Sequence, residues 1–156
     1  MVKERVESAA PAAMLPAMPH RERPLFTVLS VSGNPQDHDT VRQMLDSRWS
    51  LRQSQSLAAA RRELRTNRFA ILLCDEDSMP GAWKALQRDV ADSAPFVVVA
   101  SRLADASLWA EALNLGAWDV LAKPLDADEV MRVLGTALGR WRGQSGRPAG
   151  AATTWA

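Results

Sequence analysis

The chain has 156 residues, enough for one domain with a sizeable apolar core. Hydrophobic residues make up 47% and charged residues 24%, and 19 basic against 18 acidic side chains leave a net charge of +1. That balance gives no electrostatic case for nucleic acid or an anionic membrane surface as the main partner. Cys74 is the only cysteine, which excludes an intrachain disulfide and fits a cytoplasmic setting, and no apolar run nears the roughly 20 residues needed to span a bilayer.

Residues 1–23 are rich in Ala, Pro and Met without a sustained period and read as a disordered or loosely docked arm. Glu4, Glu7, Pro11, Pro16 and Pro19 interrupt any secretory apolar region there. Residues 24–142 form the expected domain, and the Gly/Ala/Thr-rich residues 143–156 a flexible tail.

The first expected strand is Pro24 to Ser32, with Val28, Leu29 and Val31 as its apolar content. Gly33-Asn34-Pro35 makes a turn into a helix reaching about Ser47, with Asp37 and Asp39 near its positive end and Val41, Met44 and Leu45 inward. A lone His38 at that helix start reads as a solvent-facing residue. Trp49 to Gln53 is a weak strand, expected at a sheet edge. Ser56 caps a second helix from Leu57 to Thr66, with Ala60 and Leu64 inward and Arg61, Arg62 and Arg65 on its solvated face.

Ala70 to Gly81 reads A-I-L-L-C-D-E-D-S-M-P-G. A short apolar run ending in turn residues is the pattern of a strand buried on both faces, with Cys74 as a small buried hydrophobe. A third helix spans Gly81 to about Asp92, with Trp83, Leu86 and Val90 as its stripe. Pro95 opens the strand F-V-V-V-A, which ends at Ser101. Asp105 caps a fourth helix through Leu115, with Leu108, Trp109, Ala112 and Leu113 inward or half exposed and Gly116 at its C-terminal turn. Trp118 to Ala122 is the fifth strand, and Asp126 with Glu129 starts a last helix ending near Trp141.

Near-continuous apolar strands alternating with helices across short linkers predict an α/β fold: one doubly wound, flavodoxin-like (βα)5 domain with a five-stranded parallel sheet. In such sheets ligands bind at the carboxyl ends of the strands. That rim gathers Ser32-Gly33, Asp75-Glu76-Asp77, Ser101 and Lys123-Pro124. A carboxylate, a hydroxyl and an ammonium converging there suit a phosphoryl group and a hard cation. No Gly-rich phosphate loop, nucleophile elbow or metal-binding His pair accompanies them, so a binding module is favoured over an enzyme.

Over residues 25–141 the sequence resembles a receiver domain of bacterial two-component response regulators. The resemblance rests on the element order, the acid followed by M-P-G after strand three, the Ser after strand four, and G-A-W-D-V-L-A-K-P into strand five. It implies a phosphoacceptor aspartate after strand three, a phosphoryl-contacting Ser101 and Lys123, and a cis peptide before Pro124. Continuity of the strand favours Asp75 as acceptor; the usual spacing to Pro80 selects Glu76 instead. If the loop before the fourth helix carries an insertion, Ala100 takes the place of Ser101 and the hydroxyl is lost.

The paired acids that the resemblance assigns to Mg²⁺ fall on Ser32 and Gly33, which weakens Mg²⁺ as a cofactor and leaves Asp75 and Asp77 as weak ligands. Asp37 or Asp39 replaces the missing acids only by reaching back from the helix. The switch aromatic falls on Val120, with Trp118 expected on the same strand face as a partial substitute. These departures mark a degenerate member. The implied role is phosphorelay signal transduction through contact with a histidine kinase or other signalling protein, with homodimerisation open. Too few residues follow 141 for a DNA-binding output domain, so the expected output is another protein, unless the chain is a fragment. The alternative is a pseudo-receiver that takes no phosphoryl group and binds constitutively.

Overall fold

A computed structural model describes residues 26–90 and 95–145. The arm expected over 1–23 lies outside the described residues, as do 24–25, 91–94 and 146–156, which include most of the expected tail. Five strands and five helices alternate. They are β1 (Phe26–Val31), α1 (Pro35–Met44), β2 (Trp49–Ser54), α2 (Leu57–Thr66), β3 (Ile71–Asp75), α3 (Ala82–Val90), β4 (Phe96–Ser101), α4 (Ala106–Asn114), β5 (Asp119–Ala122) and α5 (Ala127–Ser145).

All pairings are parallel and the strand order is β2-β1-β3-β4-β5, so β2 stands at an edge as its mixed sequence predicts. Chain direction reverses its spread between β1 and β3, which places the switch point of the sheet at their carboxyl ends. This is the flavodoxin-like arrangement that the sequence pattern predicts.

Strand pleating splits the core into two layers. Val28, Ile71, Leu73, Val98, Ala100 and Leu121 face α1 and α5, against Val41, Val130, Val133 and Leu134. Leu29, Val31, Leu72, Cys74, Val97, Val99 and Val120 face α2, α3 and α4, against Ala60, Trp83, Leu86 and Ala112. Because β3 is covered on both sides, its residues are all buried, and that is why its sequence shows no alternation.

The helix starts follow their caps. Asn34 Oδ1 accepts from the Gln36 amide, Ser56 Oγ from Ala59, Asp105 Oδ1 from Leu108 and Asp126 Oδ2 from Glu129. The last helix runs past its expected end near Trp141 to Ser145, and a Cβ at Gly139 would meet nothing within 4 Å. Gly116 ends α4 with φ +96°, and a Cβ there would lie 3.1 Å from Gln87 Nε2. Gly116→Ala is therefore expected to lower the urea unfolding free energy by about 1–2 kcal/mol. Gly139→Ala, in an exposed helix interior, is expected to raise it by about 0.5–1 kcal/mol. A urea titration of both variants against wild type reads the opposite signs.

Two side chains depart from the sequence reading. Trp118 precedes β5 and stacks on Phe96 with ring centroids 5.2 Å apart, in the layer facing α1 and α5. Val120 lies in the other layer, so the two do not share a face. The period of two holds only within the strand, and Trp118 lies outside it. His38 is fully buried rather than solvent-facing. It sits on the inner side of α1, three residues before Val41.

Candidate functional site

The carboxyl ends of β1, β3 and β5 and the first turn of α1 bring together Ser32, Asp75, Lys123 and Asp37. Asp75 closes β3 and is 5% exposed. The Lys123 ammonium donates to Asp75 Oδ1 at 2.7 Å and to Asp37 Oδ1 at 2.9 Å. These contacts span 48 and 86 residues of sequence. Burial pushes the Asp75 carboxyl up, but hydrogen bonds from Lys123 and Ser78 outweigh it and hold the group below the usual carboxylate range. Burial likewise pushes Lys123 down, and its two carboxylate partners more than offset that, keeping the ammonium charged.

Asp37 is the acid that reaches back. It stands in the first turn of α1, and its Oδ2 accepts the Ser32 hydroxyl proton at 2.6 Å. With that proton committed, Ser32 Oγ accepts from the Asn34 amide at 3.0 Å and from the Ser78 hydroxyl at 3.1 Å. Ser78 Oγ in turn accepts the Gly33 amide at 2.9 Å. Ser32 and Gly33, where the resemblance expects two acids, thus form a corner of uncharged side chains tied by the Ser32 hydroxyl and the Gly33 amide.

His38 supports this corner from behind. Its Nε2 lies 3.1 Å from the Ser32 carbonyl oxygen and its Nδ1 2.7 Å from Ser30 Oγ. A carbonyl only accepts, so Nε2 carries the proton and Nδ1 accepts from Ser30. Burial pushes His38 below its ordinary value, against a smaller upward pull from the Ser32 carbonyl and Asp37.

The three consecutive acids after β3 point three ways. Asp75 takes Lys123 and the Ser78 amide. Glu76, the alternative acceptor, instead accepts the Gly81 amide at 3.1 Å. Asp77 accepts the Ser101 hydroxyl at 2.8 Å and the Arg102 amide at 2.9 Å. Ser101 is therefore not brought to Asp75. In the β3–β4 register Asp75 stands beside Ala100, in the layer that faces α1, whereas Ser101 is one pleat further on. The hydroxyl expected at the acceptor is replaced by the Ala100 methyl.

A divalent cation fits this cluster poorly. Mg²⁺ requires near-octahedral oxygen ligands, normally with carboxylates among them. Here the facing Oδ1 atoms of Asp37 and Asp75 both contact Lys123, and Asp77 is held on the Ser101 turn. No group of three His, Cys, Asp or Glu among the described residues is placed to hold a metal. Val120 is buried at the position expected for an aromatic switch, against the α3 and α4 layer. The Lys123–Pro124 peptide is cis, as the resemblance implies. Sequence reading missed His38 as a buried support. Its spacing of three from the inward Val41 was the signal available.

No protein-family model and no curated protein matches the sequence. Solved structures do match in fold. A Francisella response regulator receiver domain shares 18% identity at a TM-score of 0.64, covering 74% of this chain and 98% of its own. A response regulator receiver protein from Burkholderia phymatum shares 22% at 0.65, covering 72% and 94%. A receiver domain protein from Methanospirillum hungatei JF-1 shares 14% at 0.67, covering 77% and 98%. The fold is that of response regulator receiver domains, spread over most of the described chain.

Proposed function

We propose that this chain is a receiver-like signalling module that works through protein contact and has lost the phosphoryl switch. The observation that carries this reading is the closed Asp37–Lys123–Asp75 bridge beside Ser32. A lysine ammonium occupies the space between the two carboxylates that face each other. The acids expected for a metal are a serine and a glycine, and Ala100 rather than a hydroxyl adjoins Asp75. The cluster stabilises the rim of the sheet in one form. Its partners would be a histidine kinase or another signalling protein, in a cytoplasmic setting, with no reaction of its own.

A phospho-accepting version has one observation in its favour, the direct contact between Asp75 and Lys123 next to a cis proline. Incubation with acetyl phosphate and Mg²⁺ followed by intact-mass measurement separates the two. The wild type is expected to gain no phosphoryl mass. A gain that disappears in Asp75→Ala would overturn the pseudo-receiver reading in favour of the phospho-accepting one.

A further inference from the structure

Asp77, expected from sequence only as a weak metal ligand, takes no part in the Asp37–Lys123–Asp75 bridge and is held elsewhere. Its carboxylate bridges two loops separated by 24 residues of sequence. One oxygen takes the Ser101 hydroxyl and the other the Arg102 amide. Ser101 Oγ also accepts the Leu103 amide at 3.0 Å, and the Asp105 amide donates to the Leu103 carbonyl at 2.8 Å. Asp105 then caps α4 through Leu108. A continuous run of hydrogen bonds thus leads from Asp77 to the start of α4.

Beyond that run, on α4 and beside its two ends, stand the exposed large apolar side chains of the described residues. Leu103 is 76% exposed, Leu113 and Leu115 each 50%, and Trp109 37%. At the near end, Asp77 lies between Asp75 and Ser78, and the Ser78 amide is held by Asp75 Oδ2 at 2.9 Å. Glu76 fixes the other side of the same loop through its backbone bond to Ala100 and its carboxylate bond to Gly81.

We propose that Asp77 is a clasp that couples the Asp75–Lys123 cluster to the apolar face of α4, by holding the turn after β4 against the loop after β3. The coupling runs through a carboxylate two residues beyond Asp75, so it requires no group bound at Asp75 and no moving aromatic at Val120. With the clasp closed, Leu103 and the first turn of α4 keep one arrangement. This deepens the binding-module reading by naming what fixes the surface such a module would present, and it rests on that reading.

Hydrogen–deuterium exchange of the full chain, without phosphodonor, tests it. Hydrogen bonds to a charged acceptor are worth enough that Asp77→Ala is expected to speed exchange of amides 102–108 by roughly tenfold or more. The amides of β1 and β3 are expected to stay unchanged. Asp77→Asn, which keeps one acceptor oxygen, is expected to give a smaller rise over the same residues. Asp75→Ala is expected to speed the same segment in the wild-type background and to add nothing in the Asp77→Ala background. The proposal is overturned by unchanged exchange over 102–108 in Asp77→Ala, by a rise spread evenly through the sheet, or by an Asp75→Ala effect that persists without Asp77. A phosphoryl mass gain would overturn the pseudo-receiver reading and leave this exchange pattern standing, so the two failures are distinct.

Discussion

Lys123→Met is expected to lower the unfolding free energy by about 2–4 kcal/mol. Removing one partner of a buried ion pair typically costs about 3–5 kcal/mol, because the remaining charge is left without compensation. The side chains of Lys123, Asp37 and Asp75 are 13%, 18% and 5% exposed, so solvent screens part of that cost. Methionine keeps most of the aliphatic length, so the loss is chiefly electrostatic. Two carboxylates then face each other with no cation between them. Adding Asp75→Asn to Lys123→Met removes that repulsion, so the double variant is expected to be more stable than Lys123→Met alone. Urea unfolding of the four-member cycle reads the coupling. A Lys123→Met loss below about 0.5 kcal/mol, the range of ordinary surface substitutions, would show that the bridge does not organise the rim.

The same cycle bears on function. If the ammonium holds Asp37 and Asp75 together, its removal disturbs α1 and β3 at once, since Asp37 belongs to the first turn of α1 and Asp75 ends β3. Asp75→Asn alone leaves Lys123 its Asp37 partner and is expected to cost less than Lys123→Met. That inequality follows from geometry: one lysine serves two acids, and each acid oxygen at the bridge has that lysine as its cation.

How far the chain was legible follows from the range of each interaction. Local signals carried the architecture. The unbroken apolar runs of β3 and β4 announce strands covered on both faces, and Ser56, Asp105 and Asp126 mark helix starts through bonds to amides three residues on. Gly116 at a helix end announces a positive φ within a few residues, whereas the cis peptide before Pro124 was implied by the family resemblance and not by the local sequence. The site was less legible because its partners are set by register. Whether Ser101 or Ala100 adjoins Asp75 depends on one residue of strand pairing, and that residue decides between a hydroxyl and a methyl. Asp37 was visible as an acid near the rim, but its bond to Lys123 needs β5 placed in the sheet with two strands between it and β1. Trp118 failed the alternation rule because it stands before β5, where the pleat no longer fixes its side.

His38 sets the second large expectation. Its ring is fully buried and both nitrogens are engaged, one donating to the Ser32 carbonyl and one accepting from Ser30. His38→Ala leaves both partners without a bond and opens a void, with an expected loss of about 2–4 kcal/mol at pH 7.5. The pH dependence has a definite sign. Burial lowers the folded-state value, so the unfolded chain binds a proton at this ring more readily than the folded chain does. Stability from His38 is therefore complete above the unfolded value of about 6.5 and declines as pH falls below it, by at most about 1.4 kcal/mol per pH unit. Asp37 and Asp39, which flank the ring along α1, draw its value up, while Arg42 one turn on draws it down. Their opposing pulls are smaller than burial, so the direction is set by burial. His38→Gln keeps a donor and an acceptor without a titratable ring. Between pH 7.5 and 5.5 the wild type is expected to lose more stability than His38→Gln, and the difference isolates this residue from the ordinary carboxylates, which both proteins share. Parallel urea titrations at pH 7.5, 6.5 and 5.5 measure it. Equal losses in the two proteins would mean that the ring is protonated in the fold, with Nδ1 donating to Ser30, and that the neutral tautomer assigned here is wrong.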